Sequence, residues 1–196
     1  MIFNSFDFAI FLPIVFSLYW CIGSRRLRAQ NILLVAASYF FYGTWDWRFL
    51  FLIFISSLAD FVIGGFLQKS NKDIYRKRLL MLSLIINLGL LGFFKYFNFF
   101  IDSFAYTFSF LGVTFDKTRL NILLPIGISF YTFQTLSYTI DIYRRKINAC
   151  NDPVAFFAYV SFFPQLVAGP IERAKNLLPQ FVDKRVFNYS KAADGL

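Results

Sequence analysis

The chain has 196 residues, of which 58% are hydrophobic, 22% aromatic and only 16% charged. A water-soluble globule of this length cannot hide so much apolar surface, because small domains leave a large share of their surface wet; the 29 Phe suit a lipid environment instead. The formal net charge of +9 raises nucleic acid as a partner, but the Lys and Arg form short clusters between apolar segments, not a stripe with interleaved aromatics. No nucleic-acid role is expected; such clusters hold loops on the cytoplasmic side of a membrane.

The opening MIFNSFDFAI carries Asp7 and no Lys or Arg, so it lacks the basic start of a cleavable signal. The first apolar run is therefore expected to stay as an anchor. It extends from Phe8 to Ile22 and ends at Arg25, Arg26 and Arg28. As a helix it is about 22 Å long, short for a hydrocarbon core of ~30 Å. Asn31 to Gly43 is a second short span, closing on Trp45 and Trp47 at an expected interfacial belt. Phe49 to Leu67 is long enough to cross alone. Lys69 to Arg78 reads as a polar loop, and Leu79 to Phe94 as the next span, reaching Lys95.

Tyr96 to Leu111 is Phe-rich but broken by Asn98, Asp102, Ser103 and Ser109. It either lies in the interface as an amphipathic helix or dips in and returns. Asn121 to Asp141 is a spanning candidate opened by Pro125 and Gly127 and ended by Arg144, Arg145 and Lys146. Val154 to Ile171 is apolar but interrupted by Pro164, Gly169 and Pro170, which predicts a kinked or re-entrant helix. Irregular backbone at that depth needs protein or a water-filled cavity around it. The expected fold is all-α: a polytopic membrane protein of short tilted transmembrane helices with one kinked or re-entrant helix.

The basic clusters at Arg25–Arg28, Lys69–Arg78 and Arg144–Lys146 fall on one side if the N-terminus is outside and Tyr96–Leu111 stays near the outer face. Only Arg48, Lys117 and Arg119 fall on the other, so an N-out, multi-pass arrangement is expected. Cys21 and Cys150 stand at cytoplasmic ends of segments, where reduced thiols are expected, and with no His in the chain a metal site is not. Past Ile171 the sequence turns polar, through Lys184, Arg185 and Lys191, and stops at AADGL without a closing helix. That stop reads as a truncation. No internal repeat is visible.

Asp60 lies inside the Phe49–Leu67 span. An ionisable residue at membrane depth is a functional candidate, although it can also snorkel or pair with a base at its helix end. In LLPIGISFYTFQTLSYTIDIYRR, Leu123 to Arg145, Ser129, Thr132, Thr135 and Thr139 recur at three- and four-residue steps on one helical face. Such a face either joins helices by hydrogen bonds or lines a cavity. Tyr131 and Gln134 lie elsewhere on the turn, where a channel or a lipid interface is in reach. Ser129 is a poor nucleophile here, because no His exists to activate it. In SFFPQLVAGPIERAKNLLPQF, Gln165 follows a helix-breaking Pro, and Glu172 and Arg173 stand just beyond Gly169 and Pro170. Paired acid and base at a membrane face either hold a head group or a carrier, or simply cap a helix.

Leu123–Arg145 followed by FFPQLVAGPI at Phe162–Ile171 resembles the membrane-bound O-acyltransferase family, in the branch of the alginate O-acetylation membrane protein. SYFFYGTWDWRFL at Ser38–Leu50 and GFFKYFNFF at Gly92–Phe100 add to the resemblance, which covers essentially the whole chain. It implies a ring of tilted helices around a thinned centre, with a funnel from each side. It implies an acetyl donor arriving from the cytoplasm of a bacterial inner membrane, acetyl-CoA for this branch, no cofactor held by the protein, and a periplasmic partner that esterifies polysaccharide hydroxyls. Ser129, Tyr131, Gln134, Gln165, Glu172 and Arg173 become candidates for the funnel, with Glu172 and Arg173 near its cytoplasmic entrance. In some relatives a His stands where this chain has Gln165. The family's catalytic histidine lies farther along than residue 196, and this sequence has none, so residues 1–196 read as the N-terminal part of one transmembrane domain that does not catalyse alone. Two other readings stand beside this one: D-alanyl transfer to teichoic acid, as in a relative of the same family, and a non-catalytic transporter or scaffold. The single broken segment and the lack of a repeat speak against a transporter.

Overall fold

In the computed structural model the described residues are 5–23, 25–110, 125, 127–170, 172–187 and 189–190. Among them the regular structure is helical: α1 (Phe6–Cys21), α2 (Leu27–Gly43), α3 (Arg48–Lys69), α4 (Asp73–Leu91), α5 (Phe97–Phe110), α6 (Ile128–Tyr143), α7 (Pro153–Ser161), α8 (Phe163–Ala168), α9 (Ala174–Leu177) and α10 (Pro179–Val182). Ser5 opens α1 by accepting the Phe8 amide, and Asp152 opens α7 by accepting the Val154 amide with Pro153 in the first turn. Two helical stretches are long and apolar enough to cross a membrane: Arg48–Lys69, with mean hydropathy 2.2, and Asp73–Phe104, with mean hydropathy 1.8.

Two expected boundaries move. The polar loop shrinks to Ser70–Lys72, because α4 already starts at Asp73 and winds through Arg76 and Arg78. The expected separation at Lys95 is a π-helical turn over Gly92–Tyr96, which runs α4 into α5 without a break. No Pro stands there to stop the helix, and Lys95 keeps its ammonium at the surface. Val154–Ile171 does break, at Phe162 between α7 and α8 (ψ 102°), and ends in extended backbone at Gly169. The expected segment starts at Asn121 to Leu124, with Leu111, Lys117, Arg119, Ile171 and Lys191, lie outside the described residues.

The helices are inside-out for a water-soluble protein. On α3, Ser56, Ser57 and Asp60 are buried while Phe54, Ile55 and Phe66 are 44–55% exposed. On α4, Ser83 and Asn87 are fully buried while Met81, Ile85 and Leu88 face outward. Large apolar side chains spread over an outer surface with hydroxyls and amides inside suit a surrounding of lipid.

α6 packs against both α3 and α4, and α2 lies along α7. Gly64 lets α3 and α6 touch: a Cβ there would lie 2.7 Å from the Tyr138 ring. Tyr138, Phe156 and Tyr159, all fully buried, fill the centre. Arg76 draws three chain ends together: its guanidinium donates to the carbonyls of Leu67 and Ser70 at the end of α3, and to those of Ile142 (3.0 Å) and Tyr143 (2.8 Å) at the end of α6. Asn31, near the start of α2, likewise donates to the Phe181 carbonyl at 2.8 Å. The helix ends that carry the Lys69–Arg78 and Arg144–Lys146 clusters therefore sit together. Cys21 and Cys150 are free thiols, and burial pushes the Cys150 thiol pKa up.

Candidate functional site

The site is built on α6, whose sequence gives it two polar faces. Gly127 precedes it at φ 76°, a conformation costly for other residues, and a Cβ there would lie 2.8 Å from Leu166 Cδ2. This close approach sets the start of α6 against the broken α7–α8 pair.

The first face, Thr132, Thr135 and Thr139, looks toward α4 and meets Asp60. Asp60 is fully buried and forms no ion pair among the described residues; Ser83 Oγ donates to its Oδ1 at 2.6 Å and Asn87 Nδ2 to its Oδ2 at 2.7 Å. Asn87 Oδ1 accepts in turn from Ser56 and Thr135, each at 3.1 Å, and Thr139 Oγ1 lies 3.1 Å from Ser83 Oγ. Asp60 thus neither snorkels nor pairs with a base. Both its oxygens are filled by donors from α4, and the cluster ties α3, α4 and α6 together.

The second face, Gln134, Ser137 and Asp141, lies opposite the first and looks toward the helix break. In an unbroken helix the Tyr159 carbonyl would accept from the amide of Phe163. The break at Phe162 sends that amide to Ser38 Oγ at 3.3 Å, and Gln134 Nε2 takes the freed Tyr159 carbonyl at 2.8 Å. Tyr159 Oη donates back to the Gln134 carbonyl at 3.0 Å. Gln165 Oε1 lies 3.5 Å from Gln134 Nε2, and its own amide holds the Pro170 carbonyl at 2.9 Å. One turn further along, Ser137 Oγ accepts from the Ala174 amide at 3.1 Å.

At the Asp141 end of this face lies a recess of about 650 Å³ lined by Asp141, Lys146, Arg173, Lys175 and Asn176. α6 closes there with Arg145 at φ 56°, the left-handed position usually left to glycine. The Lys146 amide returns to the Asp141 carbonyl at 2.8 Å, and this tight reversal brings Lys146 to the recess. Three cations face one carboxylate, so the recess suits an anion.

The structure brings Gln134 and Gln165 together and sets Arg173 in the recess, while Glu172 Oε2 accepts from Asn176 at 3.3 Å. Ser129 stands at the far end of α6, 3.2 Å from the exposed Lys95 Nζ on the π turn. Tyr131 is 1% exposed, so it faces neither a lipid surface nor an open channel in this chain. Beside the Gly127 turn, the Tyr42 hydroxyl is buried with no hydrogen-bond partner among the described residues. The sequence reading misses Arg76, Ser137 and the recess residues Asp141, Lys146 and Lys175. The step from Gln134 to Ser137 to Asp141 is the signal that finds the second face.

The described residues form a helical bundle, apolar outside and polar along its inner seams, with two helical stretches long and apolar enough to cross a membrane. No family model and no solved structure matches the chain. Among curated proteins, the "Probable alginate O-acetylase AlgI" of Pseudomonas aeruginosa is 39% identical over 197 residues, covering all of this chain and 37% of that protein. Its namesake from Pseudomonas putida is 40% identical over 199 residues, covering all of this chain and 40% of that one. The "Peptidoglycan O-acetyltransferase" of Helicobacter pylori is 34% identical over 226 residues, covering all of this chain and 42% of that one. Along its whole length the chain is similar to these proteins, which fits the membrane-bound O-acyltransferase family that its motifs resemble. It spans about two fifths of the length of the curated relatives it matches.

Proposed function

We propose that residues 1–196 form the N-terminal part of a membrane-bound O-acyltransferase that passes acetyl groups from a cytoplasmic donor toward an exported cell-surface polysaccharide such as alginate. The observation that carries this reading is the 39% identity to an alginate O-acetylase along the whole chain. The relative named for peptidoglycan favours a second acceptor within the same class, at 34% identity. The reaction's acceptor is thus a glycan hydroxyl, reached through a periplasmic O-acetyltransferase partner.

The donor is acetyl-CoA, whose phosphates match the charge of the Lys146–Arg173–Lys175 recess. The Gln134–Gln165 pair stands farther along the same face and orients the acyl end. No His is present to serve as general base, so that group comes from outside these residues. Membranes carrying residues 1–196 alone should therefore bind labelled acetyl-CoA and transfer none of its acetyl. Lys146→Glu combined with Arg173→Glu should weaken binding about tenfold, since each exchange turns an attraction into a repulsion. Binding that ignores both exchanges would remove the donor from the recess, and transfer above an empty-membrane control would place a base within the chain.

The protein lies in the bacterial inner membrane, multi-pass, with its N-terminus outside. Support comes from the Lys69–Arg78 and Arg144–Lys146 clusters, whose helix ends Arg76 holds together. With Cys21 and Cys150 replaced by Ala, Lys77→Cys should resist an impermeant thiol reagent in intact cells. Ready labelling from outside would invert the topology.

A further inference from the structure

Away from the α6 path, a groove of about 310 Å³ opens along α1 between α2, α8 and α10. Its depth is set by α1: Leu12 and Phe16, with Phe163 of α8 and Leu34 of α2, make apolar walls. Trp20 and Arg185 lie at the other end, about 12 Å along the α1 axis from Leu12. Leu12 and Phe16 are 42% and 55% exposed, so the groove is open on its α1 side.

The Arg185 end is built to keep a cation in place without neutralising it. Arg185 is half-buried, donating to Asn31 Oδ1 at 2.7 Å and to the Gln180 carbonyl at 2.9 Å. Its guanidinium lies 5.3 Å from both the Tyr19 and Phe181 ring centres. Gln30 Oε1 at 3.5 Å is a further acceptor, and Tyr19 is also hydrogen-bonded to it. All these partners are neutral, no carboxylate among the described residues lines the groove, and one of the five N–H groups is left to spare. Trp20 Nε1 is buried there with no hydrogen-bond partner among the described residues. Exposed Arg25, Arg26 and Arg28 flank the start of α2, within two turns of Asn31, and Lys184 precedes Arg185 with Asp183 as the one nearby acid.

We infer that this groove binds one acyl chain of an anionic phospholipid, with its phosphate on Arg185. An acyl chain leaving the bilayer for an apolar groove changes one hydrocarbon surrounding for another, so the walls admit lipid without choosing it. Selection falls to the charged end, where a planar guanidinium meets phosphate oxygens and the neighbouring arginines add a favourable potential. A cavity of this size sits at the small end of ligand sites, which fits one chain rather than a whole lipid.

The inference rests on the membrane reading, and brominated lipids separate the two. With Trp45→Phe and Trp47→Phe, Trp20 is the only tryptophan left to report. In mixed vesicles, dibrominated phosphatidylglycerol should quench Trp20 at about a fivefold lower mole fraction than dibrominated phosphatidylcholine. Arg185→Gln should bring the two lipids level. Equal quenching by both lipids in the unsubstituted groove overturns the site and leaves the membrane reading standing. Trp20 shielded from both, while Trp45 and Trp47 are quenched in a Trp20→Phe chain, means protein covers the groove and also overturns it. No quenching at any tryptophan overturns membrane embedding together with the site.

Discussion

Replacing Arg76 with Ala should destabilise the chain by about 3 kcal/mol, read as a lowered melting temperature or faster proteolysis in detergent micelles. The last carbonyls of a helix have no partner inside it and carry the negative end of its dipole. Arg76 serves such carbonyls on two helices at once, Leu67 and Ser70 at the end of α3, Ile142 and Tyr143 at the end of α6. At 4% exposure there is little room for water to take over. Arg76→Lys should recover only part of the loss, because an ammonium has three donors and no fork to span four acceptors. Melting unchanged by Arg76→Ala would show that water already reaches these carbonyls and that the basic ends are held together by other contacts.

That same residue shows where the sequence can and cannot be read. Lys69–Arg78 has the density of charge that marks a loop, and nothing local separates Arg76 from its neighbours; its acceptors on α6 lie 66 and 67 residues away. A boundary set by charge fails whenever a charged side chain finds buried carbonyls or reaches water from within a helix. Lys95 is the second such case, sitting on a π turn in the middle of a continuous helix. Covalent constraints read better. Phe49–Leu67 differs from α3 by one or two residues at each end, and Pro164, one of the predicted interruptions, stands in the first turn of α8 just past the break at Phe162. The threonine ladder on α6 was visible from spacing alone, but spacing left open whether it joins helices or lines a cavity; the bonds to Asn87 and Ser83 decide it. Its partner Asp60 was visible as an oddity, but the choice among its roles depends on Ser83 and Asn87, more than twenty residues on. The Gln134–Ser137–Asp141 face was legible by the same spacing rule. It was hidden because Asp141 marks the end of the apolar run, and the recess residues that complete it come from the chain after the break.

The Asp60 cluster yields the second large effect, and the size of that effect separates a needed acceptor from a needed charge. Asp60→Ala should cost about 2 kcal/mol, since it removes the acceptor from two buried donors. The loss is limited because each donor has a second partner: Ser83 Oγ can turn to Thr139 Oγ1 at 3.1 Å, and Asn87 Nδ2 already holds the Ser83 carbonyl at 3.0 Å. Asp60→Asn places an amide group against the Asn87 amide, a clash that a flip of Asn87 resolves. The flipped Nδ2 would then face Ser56 and Thr135, whose hydroxyls can rotate to accept, so the change should stay within about 1 kcal/mol. Unfolding of both variants in mixed micelles gives the comparison. A cost for Asn as large as for Ala would mean that the carboxylate charge is what the cluster needs. A seam indifferent to both would mean that water fills it. The ordered result, Ala costly and Asn mild, identifies Asp60 as the acceptor that fixes α4 between α3 and α6, and with it the position of α6, whose opposite face carries Gln134 and Ser137.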